Sequence, residues 1–175
     1  DLVSKQNDLV AQIQSFQTQS AALENQKRLT EERIMQESEG RGRTTSAISV
    51  LTAGAQRKIS LQQADIASQA LIAQANLYGT QGKLATANML IEQAVNAKFG
   101  AKKEELKANI ANLELLLKDP ALDKAIKDRA AAQLLIKQKQ DAELDKAKTS
   151  FEGAQKKTLE YSGIADSVTL AEMSK

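Results

Sequence analysis

The sequence predicts an all-α fold, an elongated antiparallel helical bundle or coiled coil that carries a short helical-hairpin head. Three observations lead to this prediction. Alanine, glutamine, lysine, leucine and glutamate dominate the 175 residues, and all of them favour helices. Aromatic residues make up only 3 % of the chain and there is one proline, so a bulky globular core is not expected. No stretch alternates apolar and polar residues as a strand would.

A seven-residue apolar repeat covers the first helix, from residue 2 to about residue 38. The apolar members of the repeat are Leu2, Leu9, Ile13, Phe16, Leu23 and Ile34. Polar residues such as Gln6 and Lys27 occupy half of its second row, and a half-polar seam pairs weakly. Two glycines, at 40 and 42, each cost roughly 1 kcal/mol inside a helix and predict a break near residues 40–43.

The second helix is expected over about residues 44–78 and follows a different period. Its apolar residues and alanines recur at intervals of three, four and four, which gives a nearly straight face in place of a left-handed supercoil. This face is rich in alanine, so a neighbouring backbone must approach closely. Residues 1–79 are therefore expected to form a long helical hairpin, and the mismatch in period predicts at least one further helix beside it.

The stretch at residues 68–98 carries a regular spacing of small and large residues. Its members are Leu71, Ala75, Tyr78, Gly82, Ala87, Ile91 and Ala94. This spacing resembles a single tetratricopeptide repeat. The resemblance implies two short antiparallel helices that pack through their alanines, with Gly79 and Gly82 in the turn. The sequence contains no second copy, and about three repeats are needed for a stable binding groove, so we interpret the stretch as a structural hairpin.

The C-terminal part is expected to complete the set of helices. Residues 101–118 form a further helix after the hairpin, so that residues 68–118 make one unit. Asp119 as a cap and Pro120 at the first helical position predict a long return helix over residues 119–161. Gly163 ends that helix, and residues 162–175 form a short helix that leads out of the fragment. Because the helical pattern is already running at Asp1, we expect the sequence to be part of a longer product.

The composition argues against an enzyme. Cysteine and histidine are both absent, which removes thiol nucleophiles, disulfides, imidazole bases and the commonest metal ligand. The chain has 24 basic and 22 acidic residues without a basic domain, so nucleic acid is not an expected partner. No run of about 18 apolar residues occurs, so a membrane is not expected as a partner either. We expect no catalytic residues, no cofactor and no metal site.

The order of the helices suggests a structural role. A long helix pair rich in alanine and glutamine, followed by ANLYGTQGKLATANMLIEQAVNAKF and a further helical hairpin, resembles coiled-coil structural proteins of phages, including tape-measure-like tail proteins. The resemblance implies a non-enzymatic structural component of a large assembly, located in the virion. Its partners would be other copies of itself and other structural proteins.

The surface for such assembly is expected on the first helix. Neither the second helix nor the polar stretch of the last helix matches its seven-residue period, so the seam is expected to pack against other copies. Two alternatives remain. One is a tetratricopeptide-like adaptor for protein interactions, and the other is a membrane-active helical protein, whose apolar clusters LELLL and LLI are too short to span a bilayer.

Overall fold

The protein is described here by a computed structural model that places residues 2–40 and 45–173, with side chains described as far as residue 163. Four α-helices make up the described chain. They are α1 (Leu2–Gly40), α2 (Thr45–Thr80), α3 (Leu84–Lys118) and α4 (Lys124–Met173). No strand occurs among these residues, and the prediction of an all-α fold is confirmed.

Each helix packs against the next one along the chain, and α4 also contacts α2. Side-chain contacts give the direction of each pair, because residue numbers rise along one helix as they fall along its neighbour. The joined pairs are Gln6–Thr80 and Glu31–Gln56 between α1 and α2, Asp65–Lys98 and Arg57–Glu105 between α2 and α3, and Glu92–Lys156 and Lys103–Asp145 between α3 and α4. Two ends follow from this arrangement. The turn end holds the link between α2 and α3, and the far end holds the start of α2 and the link between α3 and α4.

The link between α2 and α3 is a tight turn that depends on Gly82. This residue has a φ of 75°, a conformation that side chains other than glycine rarely adopt. The turn allows the Lys83 amide to donate to the Tyr78 carbonyl at 2.9 Å, and the Gly82 amide donates to the Gly79 carbonyl at 3.0 Å. Two carbonyls at the end of α2 thereby gain partners, as in a common form of helix C-terminus.

The apolar core is concentrated at the turn end. It consists of Ala75, Ala87, Leu90, Ile91, Val95 and Leu159, with the half-buried Leu71, Tyr78, Phe99 and Phe151 packed against it. Phe99 and Phe151 meet edge to face with their ring centroids 5.7 Å apart, which is a favourable geometry for an aromatic pair. Small side chains on the facing sides of α2 and α3 let the two backbones approach closely, and Leu159 of α4 fills the remaining space.

Helix ends differ from the sequence expectation in the second half of the chain. A separate helix from residue 101 was expected, yet Gly100 lies inside the continuous α3. A glycine costs only about 1 kcal/mol in a helix, and packing on both α2 and α4 outweighs that cost. Likewise α4 passes through Gly163 to Met173, so no new helix begins at residue 162.

The start of α4 is also later than expected. Asp119 does accept a hydrogen bond from the Ala121 amide at 2.9 Å, but this bond forms a local turn around Pro120. The helix itself begins at Lys124, where the amides of Ile126 and Lys127 donate to the Asp123 carbonyl. At the other link, α1 ends at Gly40, and Gly42 of the expected break lies outside the described residues.

Candidate interaction surfaces

The seven-residue seam of α1 faces α2 of the same chain. Leu9 is buried, and the other apolar members of the seam, Leu2, Ile13, Phe16, Leu23 and Ile34, are half-buried. Polar contacts run along the same face: Gln6 Nε2 donates to Thr80 Oγ1 at 3.2 Å, and Gln56 Nε2 donates to Glu31 Oε1 at 2.6 Å. The seam therefore has a partner within the chain, where the sequence analysis expects other copies.

A small difference in period explains why α1 and α2 can pair. A seven-residue repeat departs from a straight helix by only about 20° per heptad. The facing side of α2 contains small residues such as Ala55, Ala70 and Ala73, which leave room for a partner whose side chains do not interlock. Of the described residues of α1, only Leu9 and Ser38 are buried, so this pairing leaves most of the helix surface open.

The residues of the tetratricopeptide-like spacing gather at the turn end. Ala75, Ala87, Ile91 and Ala94 are almost completely buried, whereas Gly82 is exposed in the turn. Leu71 and Tyr78 are half-buried and contact the same core. Each of the two helices is much longer than a repeat helix, because the pair lies inside the continuous α2 and α3.

Other parts of the chain cover this helix pair. On the α1 side, the buried Thr80 accepts from Gln6 and donates to the Leu77 carbonyl at 2.7 Å. On the α4 side, Leu159 enters the core, and Lys5 Nζ donates to Ser162 Oγ at 2.6 Å to join α1 with α4. The core at the turn end is therefore covered by contacts within the chain.

Three residues that complete the core, Leu159, Leu90 and Val95, are not among those expected from the sequence. Leu90 and Val95 flank the expected Ile91 and Ala94 on α3. Leu159 is eight residues after Phe151, so both lie on one face of α4. The position between them on that face is the polar Gln155, which interrupts the apolar pattern of the sequence. The i, i+4 spacing of Phe151, Gln155 and Leu159 is the sequence signal for this face of α4.

A cleft of about 250 Å³ lies between α1, α2 and α4 beside this core. Phe16, Ile72 and Phe151 form apolar walls, and the Ser68 side chain also lines the cleft. Ser68 Oγ is buried and has no hydrogen-bond partner in the described part of the chain. At its edge, Lys98 Nζ lies 4.7 Å from the Phe151 ring centroid and 3.1 Å from Asp65 Oδ1, so the cation is already held.

Ion pairs join α3 to α4 beyond the core. Lys103 contacts Asp145 and Asp141, and the hydrogen bond with Asp145 is the main reason that its pKa is raised above the usual value for lysine. Lys156 bridges Glu152 and Glu92, and its pKa is raised mainly by the hydrogen bond with Glu152. These partly exposed pairs align the two helices along their length.

At the far end, large apolar side chains are uncovered on all four helices. Met35 is 61 % exposed, Val50 71 %, Leu115 66 % and Ile136 54 %. Leu51, Leu116, Ile126 and Leu135 are exposed as well. We call these eight residues the far-end apolar set.

Members of this set lie at a similar level along the helices. Glu31 of α1 is bonded to Gln56 of α2, and residue numbers rise in opposite directions along these helices. Met35, four residues after Glu31, therefore lies level with residue 52, next to Leu51. Arg57 of α2 pairs with Glu105 of α3. Leu51, six residues before Arg57, therefore lies level with residue 111, six residues after Glu105. Asp145 of α4 pairs with Lys103 of α3. Ile136, nine residues before Asp145, therefore lies level with residue 112, nine residues after Lys103. Met35, Leu51 and Ile136 are thus within about one helical turn in height.

Two further findings concern the described residues as a whole. They include no group of three or more Asp, Glu, His or Cys side chains placed to hold a metal ion. None of the described helices combines the length and the apolar character needed to cross a membrane.

Comparison with known proteins adds no family. No family model matches the chain, and neither a curated protein nor a solved structure matches it. The resemblances to a tetratricopeptide repeat and to phage structural proteins therefore stay predictions from the sequence.

Proposed function

We propose that the protein is a non-enzymatic structural coiled-coil component of a large assembly. Its four helices would form an elongated antiparallel bundle that acts as a stalk of roughly 50 Å, the length of about 35 helical residues. Other copies of the chain and other structural proteins would attach at the far end. The observation that carries this proposal is the far-end apolar set, in which Met35, Leu51 and Ile136 are exposed at a similar level on three helices.

The energetic argument is the cost of leaving these side chains in water. Fully burying a leucine, isoleucine, valine or methionine contributes about 1.5–3 kcal/mol. Members of the far-end apolar set are 42–71 % exposed. Scattered exposed leucines are normal on a protein surface, but apolar side chains at one level on several helices favour a binding surface. Assembly would remove them from water without any change in the fold.

The placement in a virion rests on the resemblance of the helix order to phage tail proteins. A stalk of fixed length suits such a role, since it sets a distance between two attachment points. Mass spectrometry of purified phage particles tests this placement directly. The chain should be recovered in stoichiometric amounts with other tail proteins, and its absence from particles would leave only the general structural role.

The adaptor alternative receives less support. A peptide-binding repeat needs an open face on its helix pair, and here α1 and α4 contact the pair from the same chain. A peptide would have to displace these contacts before it could bind.

Sedimentation velocity of the chain over a wide range of concentration tests the structural proposal. We expect association that increases with concentration and that weakens in the variant Val50→Gln, Leu115→Gln. The matched control is Met89→Gln, since Met89 is a similarly exposed apolar residue in the turn-end half of α3. A parent chain that stays monomeric throughout would contradict the proposal.

A further inference from the structure

The far end carries opposite charges on α1 and α4, two helices that make no extended contact with each other. On α1, residues 31–39 contain four glutamates and one arginine, and we call this the acidic stretch. On α4, residues 124–139 contain four lysines, one arginine and one aspartate, and we call this the basic stretch. Arg41 and Arg43, which follow the acidic stretch in sequence, lie outside the described residues.

Each stretch presents charge and apolar surface on the side away from its partner helix. Glu32, Met35 and Glu39 are spaced i, i+3 and i+7 on α1, and all three are exposed. Their spacing places them together on one side of the helix. The seam residue Ile34 and the buried Ser38 occupy another side of the helix.

On α4 the corresponding residues are Arg129, Ile136 and Lys139, at i, i+7 and i+10, and all are exposed. The face of α4 that packs on α3 contains the half-buried or buried Ala130, Leu134 and others at intervals of three and four. Neither Arg129 nor Lys139 has an ion-pair partner among the described residues, and the same is true of Glu39.

The two stretches do not neutralise each other within one chain. The extended packing of α1 is with α2, and its described bond to α4, from Lys5 to Ser162, lies at the turn end. At the far end, the acidic and basic stretches are therefore separate surfaces. Each has exposed apolar residues among charges of mainly one sign, which matches the apolar centre and polar rim of protein interfaces.

We propose that a second copy of the chain docks at the far end, with the acidic stretch of each copy against the basic stretch of the other. This inference rests on the proposed function and names the surface through which copies associate. A two-fold axis forms both contacts at once, since each copy supplies one stretch of each sign. Like charges oppose the alternatives in which α1 meets α1 or α4 meets α4, so electrostatics selects this pairing.

The size of the surface also suits a second copy. The two stretches together hold 25 residues, of which 18 are exposed, and a standard protein interface uses roughly 20–30 residues on each side. A foreign partner of one charge sign would engage only one stretch and leave the apolar residues of the other uncovered. A copy of the same chain covers both.

Charge reversal on one helix at a time provides the test. The first variant is Glu32→Lys, Glu39→Lys, which makes the acidic stretch basic. The second is Lys124→Glu, Arg129→Glu, Lys139→Glu, which makes the basic stretch acidic. Each variant alone should associate about tenfold or more weakly than the parent in sedimentation velocity, because like charges then meet at both contacts. The control reverses two exposed charges at the turn end, Asp8→Lys and Glu160→Lys, and should associate like the parent.

The decisive step mixes the two variants. The first variant offers two basic stretches and the second two acidic ones, so an equimolar mixture should form a mixed dimer although each variant alone does not. Recovery in the mixture supports the proposal, and so does weaker association of the parent at high salt, where exposed charges are screened. A parent that associates while the variants and their mixture behave like it would overturn this inference and leave the proposed function standing. A monomeric parent would overturn both.

Discussion

Leu159 of α4 lies directly against Gly79 of α2, so closely that a Cβ at position 79 would collide with Leu159 Cδ1. Gly79 is helical and buried, and its lack of a side chain lets α4 approach α2 at the turn end. This contact explains why a residue that normally weakens a helix is found within α2.

We therefore expect Gly79→Ala to destabilise the protein by about 1–3 kcal/mol, the usual cost of overpacking a core. The controls are Gly100→Ala and Gly153→Ala, which lie in helices where an added Cβ would meet nothing within 4 Å. They should stabilise by roughly 0.5–1 kcal/mol, since alanine favours a helix more than glycine does. Urea unfolding measures all three, and equal gains at all three sites would show that Leu159 is not closely packed there.

Ala87→Glu should separate the pair of helices at the turn end. Ala87 has no exposed surface, so the carboxylate would be buried without a partner and the protein would lose several kcal/mol of stability or fail to fold. Ala85→Glu is the matched control because Ala85 is exposed in the first turn of α3, where a negative charge is favourable. Thermal melting followed by circular dichroism makes the comparison. If the Ala87 variant melts like the parent, the described packing of α2 and α3 is wrong.

The double variant Phe16→Ser, Leu23→Ser should weaken the pairing of α1 with α2 and leave self-association largely unchanged. Both side chains are half-buried against α2, so a loss of up to about 1.5–3 kcal/mol each is expected on unfolding. Val10→Ser, Leu29→Ser removes exposed apolar residues from the same helix and should cost much less. The opposite result, in which oligomers dissociate at unchanged stability, would restore the sequence-based expectation that this seam contacts other copies.

Alkaline pH should weaken the contact between α3 and α4. The raised pKa of Lys103, held by Asp145 and Asp141, means that its contribution to stability is complete below pH 10.5 and is lost as pH rises through the higher pKa of the folded protein. In Lys103→Gln this loss should be smaller. Lys102→Gln, at an exposed neighbouring position, should keep the pH profile of the parent. Denaturant unfolding on either side of pH 10.5 gives the comparison, and identical profiles for all three proteins would contradict the assigned role of Lys103.

Ser68→Ala should stabilise the protein. The buried hydroxyl has no partner within the described residues, and an unsatisfied buried polar group costs about 1–3 kcal/mol. Ser60→Ala, on an exposed part of α2, controls for the change in helix propensity. A Ser68 variant that is less stable than the parent would indicate that the hydroxyl bonds to a water or ligand in the cleft.

The sequence indicates which face of a helix is buried more reliably than what that face contacts. The repeat from Leu2 to Ile34 marks the buried side of α1, because apolar periodicity reflects removal from water on one side. It does not specify the partner, since a half-polar seam can pair with a helix of another period when that helix presents alanines. The role of Leu159 required the fold, because its contact with Gly79 joins residues 80 positions apart.

Helix ends were the least predictable feature for a related reason. Glycine and proline rules describe the local cost of a residue in a helix. Gly100 lies in a helix whose neighbours extend past it, and Gly163 lies beside Leu84 at the start of α3. Asp119 and Pro120 form the expected local turn, but the first helical hydrogen bonds appear only after Asp123. For the far-end surfaces, the sequence supplies the charges of residues 31–39 and 124–139, and only the packing order reveals that their helices are apart.

The concentration of the core at the turn end implies that the protein opens unevenly. Amide hydrogens around Ala75 to Val95 should exchange with solvent most slowly, and protection should decline along each helix toward residues 50 and 115. The same asymmetry suggests an order of folding, because the turn at Gly82 brings Ala75 and Ala87 together across a short loop at low entropic cost. The pairing of α2 and α3 would then extend from that turn toward the far end. The far end, which has few buried side chains, would order last during folding and open first during unfolding.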